Sequence, residues 1–293
     1  MPKKKEPDTF MGLSSPHGDL KKALFVVLPV PYEATTTYGR GTSRGPKAII
    51  DASKQVETFD EELLQETCKK GIFTSSPVKV WGRNFAKISE DIRKSVSKAI
   101  QDGEVPVILG GEHSITPAAV KAFKEHYKDL AVLQLDAHAD LRDSYEGRKD
   151  NHACAMRRTL EMAPVVQAAI RNISEEEYQF AKKTAQIEKI HFAHSFNAAS
   201  VKKILSQLSD DVYITIDADC FDSSIMPSTG TPEPGGFSWA DVTGIVKEVS
   251  RAKKIVGFDL VELSPIKGLH APDFLAAKLL YRIMGYIAAS PRT

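Results

Sequence analysis

Residues 130–140 read LAVLQLDAHAD, and this stretch decides the fold. Its apolar run is continuous rather than alternating, the mark of a strand buried on both faces, as in a parallel sheet. It ends abruptly in Asp136, His138 and Asp140, polar side chains spaced by two. Seven other runs are of the same kind: ALFVVLP (23–29), PVKVW (77–81), VPVILG (105–110), VVQAAI (165–170), KIHFAH (189–194), DVYITID (211–217) and KIVGFDL (254–260). Helical patterns lie between them. Residues 85–101 carry isoleucine, valine and alanine at helical spacing, and Ser174-Glu175-Glu176-Glu177 reads as a capping box. Ser238-Trp239-Ala240-Asp241 resembles another, and Pro272 suits the first turn of a last helix reaching about Ala289. Strands alternating with helices predict an α/β fold of three layers, α/β/α, around a parallel, roughly eight-stranded sheet.

The polar stretch 1–22, with its proline and glycine, reads as a loose N-terminal arm. No linker interrupts the alternation beyond it, so residues 23–293 are expected to form a single domain. The 293 residues carry 39 basic and 38 acidic side chains, a formal charge of +1, which excludes the basic stripe of a nucleic-acid binder. A 42% hydrophobic and 26% charged composition excludes an acidic disordered chain. No apolar run approaches the roughly 18 residues of a membrane span. Three lysines in 1–7 are followed by no apolar stretch, which argues against a secretory signal. Three widely spaced cysteines without a C-x-x-C pair suit a reducing compartment, so the expected location is cytoplasmic.

Open parallel sheets place their active sites beyond the carboxyl ends of the strands. There this chain has Gly110-Gly111-Glu112-His113-Ser114, Asp136-Ala137-His138-Ala139-Asp140 and Asp217-Ala218-Asp219. Residues two apart in an extended chain point the same way, so each cluster presents its polar groups together. Alone, a D-x-D or H-x-D is common, and His113 after a Gly-Gly turn could be a capping histidine. Together, four carboxylates at one rim would repel one another unless cations intervened. Two divalent ions would balance them, and imidazoles add ligands without charge. Oxygen and imidazole donors without thiolate favour a harder ion such as Mn²⁺ over structural zinc, in an arrangement that makes a nucleophile from water.

GGEHS, DAHAD and DADCFD (217–222), continuing to STGTPEPGG (228–236), resemble the signatures of the ureohydrolase (arginase/agmatinase) superfamily. GRGTSRGPKAI (39–49) and FDLVELSP (258–265) extend the resemblance over roughly residues 25–290, and PYEATTTYG (31–39) with TPEPGG looks closest to the agmatinase branch. The resemblance implies an arginase-like fold and two Mn²⁺ per chain. One ion would be held by His113, Asp136, Asp140 and Asp217, the other by Asp136, His138, Asp217 and Asp219. It implies Glu262 as the guanidinium-binding carboxylate and His152 as a proton shuttle that also meets substrate. It further implies a trimer or hexamer, while the charge balance and the lack of a long apolar run lead us to expect no nucleic-acid or membrane partner.

A guanidinium carbon is a poor electrophile, so hydrolysis at neutral pH needs activated water. An arginine substrate would need donors for its α-carboxylate, and arginases usually carry asparagine where this chain has Arg142. That favours a decarboxylated guanidine, agmatine first, giving putrescine and urea, with Glu233 a candidate for a terminal ammonium. Arg142 is an awkward neighbour for that ammonium unless it pairs with Asp143 or Glu146. Aminopropylagmatine, guanidinobutyrate and arginine stay open as substrates. So do a single-zinc amidohydrolase, which would not need His113, Asp140 and Asp219 together, and a metal-binding relative without turnover. His191 and His194 near another strand end could line the pocket, and Arg157 and Arg158 could cap a helix or join an interface.

Overall fold

The computed structural model describes residues 8–291. Its first half runs through β1 (Phe25–Val30), α1 (Gly45–Ser53), β2 (Phe59–Asp60), β3 (Gln65–Glu66), β4 (Ile72–Thr74), α2 (Phe85–Gln101), β5 (Val105–Gly110), α3 (Thr116–His126) and β6 (Leu130–Leu135). Then come α4 (Ala155–Leu160), β7 (Val165–Ile170), α5 (Glu175–Lys183), β8 (Ile190–Phe192), α6 (Ala198–Gln207), β9 (Asp211–Asp217), α7 (Trp239–Ala252), β10 (Lys254–Val261) and α8 (Ala271–Ala289). Eight strands form one sheet in the order β4-β1-β5-β10-β9-β6-β7-β8, and every pairing in it is parallel. Two apolar cores cover its faces, one built with α1, α6, α7 and α8, the other with α2, α3, α4 and α5. This is the three-layer fold that the continuous apolar runs require.

Residues 77–81 are not a strand, contrary to their apolar pattern. The outer strand beside β1 is Ile72–Thr74. Ser75 and Val78 still donate to Val27 O and Pro29 O, at 2.9 Å each, but Pro77 between them has no N–H to give, and the ladder stops. The arm is also less loose than its composition suggests. Phe10 is fully buried in the core beside α1, and only residues 1–7 of the arm lie outside the described ones. Both capping boxes form, at Ser174/Glu177 and Ser238/Asp241. Among the described residues no helix is long and apolar enough to cross a membrane.

The strand order creates the site. The chain leaves β5 and skips two positions before laying down β6, and β9 and β10 later fill that gap. The carboxyl ends of β5, β10, β9 and β6 therefore lie side by side, at the reversal where open α/β sheets hold their ligands. At the end of β5 the chain must pass very close to the segment after β1. A Cβ on Gly111 would sit 1.9 Å from Tyr32 O, so only glycine fits, and Glu112 N then donates to Tyr32 O at 2.8 Å.

Candidate metal centre and active site

His113 opens a short helical turn after β5, Asp136, His138 and Asp140 follow β6, Asp217 closes β9, Asp219 lies in the next turn, and Glu262 follows β10. Two groups of potential ligand atoms result, His113/Asp136/Asp140 and Asp136/His138/Asp219, each with its atoms within 4.8 Å of one another. Asp136 belongs to both. Asp217 joins the first group, with its Oδ2 3.4 Å from His113 Nδ1. The clusters are tied together by main chain, since Ala137 N donates to Asp219 Oδ1 (3.0 Å) and Asp219 N to Asp217 Oδ1 (2.9 Å).

The orientation of His113 tests whether a cation fits. Tyr213 and Thr116 hydroxyls donate to Asp259 Oδ2, and the Thr215 hydroxyl donates to Asp259 Oδ1 at 2.6 Å. Thr215 can then only accept from His113 Nε2, which lies 2.9 Å away. In the neutral ring that fixes the tautomer, and Nδ1 carries the lone pair. It is buried without a hydrogen-bond partner, 3.1 Å from both Asp136 Oδ2 and Asp140 Oδ2. A lone pair facing carboxylate oxygens is repulsive unless a cation stands among them, so the donor set fits a divalent ion. Asp259→Asn should weaken Mn²⁺ binding by about 10- to 100-fold through this ring, as loss of a ligand's supporting partner does. Calorimetric titration of metal-free protein would measure it, and unchanged affinity would discard the role.

The electrostatics agree. Burial disfavours the His113 cation, yet Asp136, Asp140 and Asp217 outweigh it and lift its pKa well above the ordinary imidazole value. Burial, then the charge of Asp136, pushes Asp140 up to about 7. Burial with the charges of Asp219 and Asp136 likewise lifts Asp217 well above the carboxylate range. The side chains alone draw in protons to offset their crowding, and a cation would do the same more completely. Two of the residues are held in the left-handed region, Asp140 at φ 52° and Glu262 at φ 61°, a strain typical of functional positions.

A cleft of about 180 Å³ opens over the cluster, lined among others by His152, Glu262, Arg142, Tyr145, Asn172 and Thr37. Glu262 Oε1 accepts from His113 N at 2.7 Å, and burial reinforced by the charge of Glu112 raises its pKa well above the usual value. Glu233 stands at the rim, its Oε1 3.9 Å from His138 Nε2. Arg142 pairs with neither Asp143 nor Glu146. Its guanidinium lies 4.8 Å from the Tyr145 ring centre and its Nε 4.0 Å from Glu177 Oε2. His191 and His194 lie outside the cleft, the first bonded to Gln207 and the second stacked on Phe192. Arg157 stacks on Phe180 and Arg158 pairs with Asp143 and Glu161, which accounts for both within the chain. Cys154 and Cys220 are fully buried, as packing residues are.

Several supporting residues escaped the sequence reading. Buried Glu112 accepts from Ala34 N, Thr35 N, Thr35 Oγ1 and Ser114 Oγ, pinning the 31–39 segment to the site. Gln186 donates to Gln167, Gln167 to Gln134, and Gln134 to Asp136 Oδ2, a line of buried amides beneath the shared carboxylate. Thr215 and Asp259 belong with these. Their signal was a polar residue inside an otherwise apolar strand, which must find a partner when buried.

The chain matches the arginase family over residues 23–285. It is 38% identical over 279 residues to an N(1)-aminopropylagmatine ureohydrolase of Synechocystis sp., covering 92% of this chain and 91% of that protein. It is 34% identical to an agmatinase of Pyrococcus horikoshii, over 93% and 95% of the two chains. The crystal structure of agmatine ureohydrolase of Thermoplasma volcanium superposes with a TM-score of 0.82 at 31% identity, over 92% of this chain and 91% of that one. The family match takes in every strand of the main sheet and every residue of the cluster; the chain belongs to the arginase family.

Proposed function

We propose that this protein hydrolyses a guanidino C–N bond of agmatine or its N-aminopropyl derivative, releasing urea. We further propose that His113, Asp136, His138, Asp140, Asp217 and Asp219 hold two Mn²⁺ for it. The observation that carries this reading is the pair of ligand groups sharing Asp136, with Glu262 beside them in one cleft. Bound there, divalent cations supply what side chains cannot, lowering the pKa of water until it is a nucleophile at neutral pH.

The remaining work falls to the chain. Glu262 has one oxygen engaged by His113 N, and no hydrogen bond among the described residues occupies the other. That leaves it free to accept from a guanidinium and set the plane in which its carbon is attacked. The Thr35 hydroxyl donates to Glu112 Oε1 at 2.6 Å, so at 3.2 Å from His152 Nδ1 it accepts. His152 then keeps Nε2 as its basic nitrogen. Burial holds its pKa below the ordinary imidazole value, with Glu112 pulling the other way, so the ring is neutral at the start. It can take a proton from the attacking water's side and give it to the departing amine as the C–N bond breaks, leaving urea and an ammonium.

The relatives named for aminopropylagmatine and agmatine support a cationic tail. Glu233 at the rim adds the opposite charge, while Arg142, which also lines the cleft, is drawn towards the Tyr145 ring and the Glu177 carboxylate. A urea-release panel with Mn²⁺ should rank agmatine and aminopropylagmatine above guanidinobutyrate and arginine, with activity lost to a chelator and regained with Mn²⁺. Preference for either carboxylate-bearing guanidine, or one zinc per chain in the active protein, would refute the proposal.

A further inference from the structure

β7 carries a bulge at Ala169 (φ 71°), and Arg171 and Asn172 follow it beside the turn that bears Asp219. Arg171 has no ion pair among the described residues. It donates instead to five main-chain carbonyls: Ala169 (3.1 Å), Asp219 (2.6 Å), Phe221 (3.2 Å), Glu233 (2.9 Å) and Pro234 (3.0 Å). One planar cation with fixed N–H directions thus holds three segments in register. The loop it holds, Ser228 to Gly236, contains two prolines and three glycines and has little regular structure of its own. Asp222 Oδ2 braces its far end by accepting from Gly235 N and Gly236 N.

The pattern at Glu233 is selective. Its carbonyl binds Arg171, while its carboxylate turns the other way, where Oε1 accepts from Asn172 Nδ2 at 2.5 Å. Arg171 therefore leaves the negative charge of Glu233 unneutralised. That side chain is 31% exposed at the rim of the cleft, and no hydrogen bond among the described residues occupies Oε2. A carboxylate held rigidly at the mouth of a guanidine site, its Oε1 facing Asn172 and His138 and its Oε2 open, is suited to a cation at the far end of the substrate.

We propose that Arg171 and Asn172 are positioning residues that hold Glu233 as the anchor for the distal ammonium of the substrate. The proposal rests on the hydrolytic reading above and extends it to selectivity for cationic tails. Its test compares wild type with Glu233→Gln, Arg171→Lys, Asn172→Ala and the double Arg171→Lys/Glu233→Gln. Agmatine and butylguanidine, which has the same carbon chain without the ammonium, are the substrates. Each single variant should lower the agmatine-to-butylguanidine ratio of kcat/KM by about tenfold, mainly through KM, the scale of one charge-assisted hydrogen bond. The double variant should lose no more of that ratio than Glu233→Gln alone. Calorimetry on Mn²⁺-loaded protein should show putrescine binding weakened to a similar extent, with metal content per chain unaltered. Equal losses for both guanidines, a fall in bound manganese in the Arg171 variant, or unchanged putrescine affinity would each overturn the proposal. If the wild type released no urea from any guanidine, the hydrolytic reading would fail, and putrescine binding would still decide the role of Arg171 and Asn172.

Discussion

Asp136→Asn is expected to lower Mn²⁺-dependent urea release by about a thousandfold or more, the scale of several kcal/mol of lost transition-state stabilisation. Asp136 is fully buried and belongs to both ligand groups, so its loss reaches both halves of the centre. Its oxygens are already aimed by Gln134 Nε2 (2.6 Å to Oδ2) and His138 N (2.6 Å to Oδ1). An asparagine in the same place can keep one of these contacts with its carbonyl. Its amide then faces another donor, or donates to His113 Nδ1 and takes up the lone pair a cation would need, and the charge that offsets a cation is gone. Bound manganese should fall together with activity, measured by elemental analysis after gel filtration, while circular dichroism shows the fold intact. Full activity in this variant would remove the shared role of Asp136 and with it the paired-cation reading.

The candidate ligands were legible in the sequence because they sit just past strands whose apolar runs are unmistakable. Position past the carboxyl ends of a parallel sheet puts Asp136, Asp217 and His113 on one rim, and the strand order then brings them together. The supports were not legible for the opposite reason. Gln134, Thr215 and Asp259 lie within those runs, and reading LAVLQLD, DVYITID and KIVGFDL as simply apolar hid them. Their partners are remote: Asp259 meets Thr215 and Thr116 across 44 and 143 positions, a relation that only the strand order reveals. The strand expected at 77–81 failed because hydrophobicity marks burial, and Val78 and Val80 are indeed buried, but burial does not supply the N–H that Pro77 lacks. Phe10 was missed for a similar reason, since one aromatic in a polar arm carries no periodicity. Arg171 lies one residue beyond VVQAAI, and no pattern announces an arginine that binds carbonyls rather than a carboxylate.

Arg282→Ala is expected to destabilise the protein by about 3–5 kcal/mol, because it strands a buried carboxylate, Asp60, rather than merely deleting an ion pair. Arg282 is 2% exposed in the middle of α8, where a lone cation would not be tolerated. Its guanidinium faces three consecutive acids at the end of β2 and in the turn after it, donating to Asp60 Oδ2 (2.5 Å), Glu61 Oε1 (2.8 Å) and Glu62 Oε2. Asp60 is itself buried, and its other oxygen caps the turn by accepting from Glu62 N and Leu63 N at 2.9 Å each. Without the arginine, Asp60 keeps those two bonds but loses its counter-charge in a place that water reaches poorly. Glu61 and Glu62 lie nearer solvent and keep Lys278 and Lys247, so the loss should concentrate on Asp60. Arg282→Met with Asp60→Leu, which removes the charge at both ends of the buried pair, should recover a large part of the stability that the single variant loses. Wild type has a second signature in acid. Its own backbone hydrogen bond, then Lys278 and Arg282, hold Glu61 at about 2, below its unfolded value, so the stability this adds is present above pH ~4.5 and fades as pH falls towards 2. Removing Arg282 should lower the plateau and leave most of that acid limb, because the backbone hydrogen bond and Lys278 come first among its causes. Urea denaturation at fixed Mn²⁺ from pH 3 to 8 would read both effects, and a plateau loss below about 1 kcal/mol, the range of an exposed pair, would show that the triad is solvated rather than buried.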